Sequence, residues 1–104
     1  MITVRYSPYK LTVQGHAGSA PYGHDLVCAS ISAITYTAMA AVSEDEDTVN
    51  ALEPVIYESA GDVRIECNPK DEDKCRELFR VLCAGYEAYA EQFPDYVHFI
   101  REET

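Results

Sequence analysis

The sequence contains few basic residues. Of its 104 residues, 8 are Lys or Arg and 18 are Asp or Glu, which gives a formal net charge of −10. Nucleic-acid binding relies on Lys and Arg to release counterions from phosphates, so this composition argues against direct contact with nucleic acid. Acidic proteins attract basic ones over long range. We therefore expect a basic macromolecular partner. The alternative is that the acidic residues only keep the protein soluble.

Long apolar runs are also absent. A membrane-spanning helix needs about 20 apolar residues in succession, and Ser and Thr interrupt the longest apolar stretch here, within residues 26–42. The amino-terminal residues MITVRYSPYK alternate as in a strand and lack the charged start and apolar core of a secretion signal. We expect a cytoplasmic protein with no membrane partner, folded as one domain over residues 1–104.

The sequence has no C-x-x-C pair, the spacing typical of zinc and dithiol sites. Its cysteines are Cys28, Cys67, Cys75 and Cys83, and we expect reduced thiols in the cytoplasm. Cys67 ends a predicted strand, while Cys75 and Cys83 lie on the apolar stripe of a predicted helix. We expect these three to be small core residues, which leaves Cys28 as the cysteine available for chemistry.

Hydrophobic periodicity predicts an α+β domain of two layers. Alternation of apolar and polar residues predicts two hairpins and a last strand, over residues 2–7 and 9–14, 55–58 and 63–67, and 96–101. Helical spacing predicts main helices from Asp25 to about Val42 and from Asn68-Pro69 to Pro94, with a short helix over residues 47–53. This order favours a mainly antiparallel sheet with two main helices on one face.

The segment GHAGSAPYGHDLVCASIS, residues 15–32, places a cysteine near the start of a helix. Asp25 is a good N-cap, so Leu26 would begin the helix and Cys28 would lie in its first turn. Unpaired N–H groups and the positive end of the helix dipole favour a thiolate there. The same N–H groups are candidate donors to an oxyanion. We expect Cys28 to be a nucleophile.

Two histidines are candidates for the base that activates the thiol. His16 follows Gly15 at the end of the second predicted strand, so a rigid element would hold it at the edge of the sheet. His24 lies four residues before Cys28. Residues 17–24, rich in Gly, Ser and Pro, predict a loop that either closes over substrate or only connects strand to helix.

The same three residues allow a different hypothesis. His16, His24 and Cys28 form an H-x7-H-x3-C pattern, and two imidazoles with one thiolate can hold zinc. This spacing is not a recognised signature, so a His/Cys zinc-binding module is the alternative rather than the main hypothesis.

The pattern GHA, a short loop, G-x-D, VCA and then Ser resembles the signature of the Prp family, bacterial ribosomal-processing cysteine proteases. The resemblance covers Gly15–Ser32 strongly and residues 90–97 more loosely. It implies a fold of the predicted kind, Cys28 as nucleophile and His16, not His24, as base, with no metal and no cofactor. It also implies a cysteine endopeptidase.

The resemblance suggests supporting residues around this pair. Asp25 either orients His16 or only caps the helix, and Ser32 either forms a hydrogen bond near the site or only permits close packing. Gly15 precedes the proposed base. The substrate loop contains Gly18, Tyr22 and Gly23, and Tyr22 either contacts substrate or packs the loop.

The resemblance further implies a substrate, because members of the family remove an N-terminal extension from large-subunit ribosomal protein twenty-seven after a short apolar stretch that includes Phe. It also implies a homodimer. A non-catalytic ribosome-associated protein that uses the same groove for binding is a second alternative.

Overall fold

The structure, a computed structural model, describes residues 1–15 and 22–102, with side chains from Leu26 onward in the second range. It contains the predicted sequence of elements. These are β1 (Ile2–Ser7), β2 (Lys10–Gln14), α1 (Tyr22–Val42), α2 (Glu46–Leu52), β3 (Pro54–Ser59), β4 (Asp62–Cys67), α3 (Glu72–Gln92) and β5 (Val97–Arg101).

The five strands form one sheet in the order β3-β4-β2-β1-β5. All neighbouring strands are antiparallel except β1 and β5, which are parallel. Side chains alternate between the two faces, and the residues that face the helices, such as Val4, Leu11 and Ile65, are buried. The predicted α+β class, with a mainly antiparallel sheet and two main helices on one face, is confirmed.

Helices α1 and α3 pack against each other through a buried polar contact. Thr35 donates a hydrogen bond to the Ile31 carbonyl (2.8 Å), and its Oγ1 lies 2.9 Å from the Tyr86 hydroxyl. Because the Thr35 proton is directed at Ile31, Tyr86 is the donor to Thr35. The approach is close, since a Cβ on Gly85 would lie 3.3 Å from Ile34 Cδ1. The middle of α1 is thereby fixed against α3.

Within the described part of the chain, no single helix is long and apolar enough to cross a membrane. Residues 26–42 of α1 and the whole of α2 meet the length and composition criteria only when taken together, and the pair is bent by 94°.

The predicted start of α1 is wrong. The helix begins at Tyr22, so Asp25 lies inside the helix instead of at its N-cap, and Cys28 lies in the second turn. Asp25 was an ambiguous signal, because an acidic residue is favoured in the first turn of a helix, near the positive end of its dipole, as well as at the N-cap.

The predicted start of α3 is also wrong. Asp71 is the N-cap, and its carboxylate accepts a hydrogen bond from the Lys74 N–H at 3.0 Å. Asn68 was the expected cap, but its N–H donates to the carbonyls of Leu52 and Glu53. These bonds hold the segment before α3 against the end of α2, so the helix begins only at Glu72.

Candidate active site

Cys28 lines a cleft of about 480 Å³ between α1 and one end of the sheet. The other walls are the ends of β1 and β2 and the turn that joins β3 to β4. This volume is typical of sites that bind small molecules or individual side chains. The cleft is lined by Ile2, Val13, Gly15, Cys28, Ile31, Ser32, Thr35, Tyr36, Met39, Glu58, Ser59, Ala60, Gly61, Asp62 and Val63.

The α1 wall of the cleft contains the predicted nucleophile. Cys28, Ser32, Tyr36 and Met39 follow at steps of three or four residues and so form one stripe of the helix. Cys28 is half-buried, whereas the other three cysteines of the chain are buried. The stripe therefore presents one accessible thiol to the cleft.

Ser32 lies one helical turn beyond Cys28 and also lines the cleft. The other Ser and Thr hydroxyls of α1 donate to the carbonyl four residues earlier. These are Ser30, Thr35 and Thr37. By contrast, the Ser32 hydroxyl forms no hydrogen bond with another described residue, which leaves it available to a ligand.

Gly15 occupies a position that only glycine fits. Its φ is +109°, and a Cβ there would collide with the Met1 carbonyl oxygen. Its N–H donates to the Gly61 carbonyl at 2.9 Å, which joins the end of β2 to the β3–β4 turn. Because β2 is the middle strand of the sheet, the chain leaves toward His16 from the end of a central strand and not, as predicted, from a sheet edge.

The remaining predicted site residues lie outside the residues whose side chains the structure describes. His16 and Gly18 belong to the segment 16–21, and the lid hypothesis falls largely on it. Tyr22, Gly23, His24 and Asp25 form the first turn of α1, of which only the backbone is described. The predicted loop over residues 17–24 is wrong at residues 22–24, which are helical, and Asp25 does not cap the helix. His16 as base, Asp25 as the residue that orients it, and substrate contacts by Gly18, Tyr22 and Gly23 stay predictions, as does the zinc alternative.

The earlier start of α1 changes the electrostatic argument for Cys28. The unpaired N–H groups of a helix belong to its first residues, here Tyr22–Asp25, and the dipole effect fades beyond the first turn. The N–H of Cys28 lies within the hydrogen-bonded body of the helix. Cys28 therefore lies one turn beyond the unpaired N–H groups on which the prediction relied, and its own N–H is not free to bind an oxyanion.

The wall formed by the β3–β4 turn was not predicted. Its acidic residues are Glu58 and Asp62. Arg64 Nη2 lies 2.8 Å from Asp62 Oδ2, and this hydrogen bond lowers the pKa of Asp62 below its ordinary value. The hairpin itself was visible in the sequence, but only the pairing of β4 with β2 brings its turn beside Gly15.

Several solved structures share this fold. Two are crystal structures of the S. aureus essential ribosomal processing protease Prp. The complex with a substrate peptide is 20% identical, with a TM-score of 0.81, and the complex with a covalently linked product peptide is 21% identical, with a TM-score of 0.79. In both, the match covers 98% of this chain and 100% of the other.

A third similar structure is SMU.848 from Streptococcus mutans, with 24% identity and a TM-score of 0.79 over 100% of this chain and 96% of the other. No curated protein sequence matches the chain. The family model described as cysteine protease Prp matches residues 1–98, and it covers both Cys28 and the cleft around it. The chain therefore belongs to the cysteine protease Prp family.

Proposed function

We propose that this cysteine protease acts in ribosome maturation by removing the N-terminal extension of large-subunit ribosomal protein twenty-seven. The observation that carries the proposal is the half-buried Cys28 thiol in a cleft of about 480 Å³. Two structures that share the fold are those of a ribosomal processing protease with peptides bound. The proposed substrate places the enzyme in the cytoplasm, where the large subunit is made.

The chemistry would be acyl transfer to a thiol. The Cys28 thiolate attacks the scissile carbonyl carbon after His16 accepts the thiol proton. Collapse of the tetrahedral intermediate breaks the C–N bond, and His16 returns the proton to the leaving amine. Water, activated by the same imidazole, then attacks the thioester carbonyl, and release of the acid regenerates the thiol.

The cleft suits the apolar stretch expected before the cleavage point. Five of its larger side chains are aliphatic or thioether groups from both layers of the domain, namely Ile2, Val13, Ile31, Met39 and Val63. Burial of a Phe side chain against such a surface contributes about 1.5–3 kcal/mol. The net charge of −10 also favours encounter with a basic ribosomal protein.

We also propose a homodimer, on the family resemblance alone. Measurement of the mass in solution by light scattering tests this part separately. A monomer at micromolar concentration would exclude the dimer without affecting the proposed chemistry.

The direct test is cleavage of a peptide that copies the proposed extension. We expect Cys28→Ala to abolish turnover and His16→Ala to reduce it at least about 100-fold, the usual contribution of a general base. His24→Ala serves as the matched control and should retain activity, since His24 lies outside the proposed pair. Circular dichroism of each variant should match the wild type.

Wild-type turnover in both Cys28→Ala and His16→Ala would refute the proposal. A non-catalytic ribosome-associated role instead predicts that cells tolerate Cys28→Ala. Loss of activity in His24→Ala with activity kept in His16→Ala would reassign the base while leaving the nucleophile in place.

A further inference from the structure

The charged residues among the described residues of the cleft are of one sign. Among its described lining residues, Glu58 and Asp62 carry charge, and Lys, Arg and His are absent. The Asp62 carboxylate is already bound, by Arg64 through both oxygens (3.2 and 2.8 Å) and by Gln14 at 3.3 Å. Glu58 thus contributes the remaining uncompensated charge among the cleft residues that the structure describes.

Glu58 is directed at the cleft by the register of the sheet. It lies opposite Val63 in the β3–β4 pair, and directly opposed residues point to the same face. Val63 itself lines the cleft. Glu58 is therefore on the face that α1 covers, at the end of the hairpin where the sheet meets the open side of the cleft.

No cation within the described residues pairs with Glu58. Arg64 follows Val63 in sequence but points to the opposite face, where Asp62 binds its guanidinium and the Tyr57 ring lies 5.2 Å from its Cζ. The Glu58 side chain is exposed and forms no hydrogen bond or ion pair with another described residue. Its carboxylate is free to accept a donor from a ligand.

We infer that Glu58 selects a basic residue of the substrate peptide, a statement that rests on the proposed protease function. The aliphatic side chains of the cleft bind an apolar side chain of the peptide, and the Glu58 carboxylate binds a Lys or Arg a few residues away along the same chain. A charge-assisted hydrogen bond is stronger than one between neutral groups. Glu58 is thus a specificity determinant of the cleavage reaction.

The test uses a peptide series based on the apolar stretch of the proposed extension. Each member carries one Lys at a successive position on either side of the scissile bond, and a matched member carries norleucine there. For wild type we expect one Lys position to raise kcat/KM about two- to fivefold over norleucine, the range expected of an exposed ion pair. Glu58→Gln should remove this preference, and Glu58→Lys should reverse it toward a peptide with Glu at that position.

Glu66→Gln is the matched control. Glu66 is an exposed carboxylate on β4, outside the cleft and directed to the opposite face of the sheet. This variant should keep the full preference for Lys. The wild-type preference should also shrink as salt rises from about 0.05 to 0.5 M, because exposed ion pairs are screened. If Glu58 acted only by stabilising the fold, the preference for Lys would not depend on salt in this way.

Peptide binding in a Cys28→Ala background separates the inference from the proposed function. A Lys preference in binding that depends on Glu58, without cleavage by the wild type, supports the inference and refutes the function. Cleavage without any Lys preference, or with a preference that survives Glu58→Gln, overturns the inference and leaves the function standing. Absence of both binding and cleavage overturns both.

Discussion

At the scale of single residues, the cysteines differ in access to solvent, and burial makes two of them less acidic. Cys75 and Cys83 have no exposed surface, whereas Cys28 is half-buried in the cleft. Burial raises the pKa of Cys83 to about 11. A hydrogen bond with Cys67, together with burial, raises the pKa of Cys75. Neither thiol supplies appreciable thiolate at neutral pH, so the core role predicted for them agrees with their chemistry.

Gly15 has a backbone conformation that favours glycine, and it also lines the cleft next to the proposed base. We expect Gly15→Ala to lower the free energy of unfolding by about 2 kcal/mol or more, because positive φ is costly for alanine and the Cβ meets the Met1 carbonyl. Urea denaturation of both proteins measures this loss. Because Gly15 precedes His16, turnover should fall as well.

Gly85→Ala is the control for that substitution. Gly85 lies within α3, has no positive φ and meets only the end of the Ile34 side chain. Alanine gains about 1 kcal/mol of helix propensity there, which offsets the tight contact. A larger loss of unfolding free energy in Gly85→Ala than in Gly15→Ala would contradict this interpretation of the two glycines.

At the scale of secondary-structure elements, the Tyr86 hydroxyl joins α3 to α1. Tyr86→Phe removes its hydrogen bond to Thr35 and should cost about 1 kcal/mol at neutral pH. Burial raises the pKa of Tyr86 from its usual 10.0 to about 12. Since only the unfolded state ionises between these values, wild-type stability should fall by about 2–3 kcal/mol as pH rises from about 10 to 12.

Tyr86→Phe should lose less stability over the same pH range. The difference in free energy of unfolding between wild type and variant should therefore narrow and then change sign. Denaturant titrations at about pH 8, 10 and 11 measure this. Tyr36 is an exposed tyrosine on α1, the helix that contains Thr35. The stability of Tyr36→Phe should therefore match that of the wild type at each pH. Parallel pH profiles for wild type and Tyr86→Phe would show that Tyr86 does not ionise on unfolding.

Local sequence patterns predicted the elements well and their ends less well. Alternation and helical spacing located every strand and helix because these signals extend over several residues. The start of α1 was missed because Asp is favoured in the first turn of a helix as well as at its N-cap. Asn68 is a good cap by type, but hydrogen bonds from the N–H groups of Asn68, Lys70 and Asp71 to the end of α2 keep this segment out of α3, and Asp71 caps the helix instead.

At the scale of the whole molecule, the site depends on pairings between distant segments. Cys28 and Gly15 were found from the motif, since both lie within one short stretch of sequence. Glu58 was not, because its place beside them requires β4 to pair with β2 and α1 to cover that end of the sheet. Strand order, including the parallel β1–β5 pair, has no signal in local periodicity.

The central claim is that Cys28 is the nucleophile of a peptide-binding cleft. The most direct measurement is covalent capture by a peptide that ends in a chloromethyl ketone after the apolar stretch of the proposed extension, mapped by mass spectrometry. We predict one adduct, on Cys28, that forms more slowly when uncleavable substrate peptide is present and is absent in Cys28→Ala. An adduct on another cysteine, or equal labelling of Cys28 with and without competing peptide, would contradict the account.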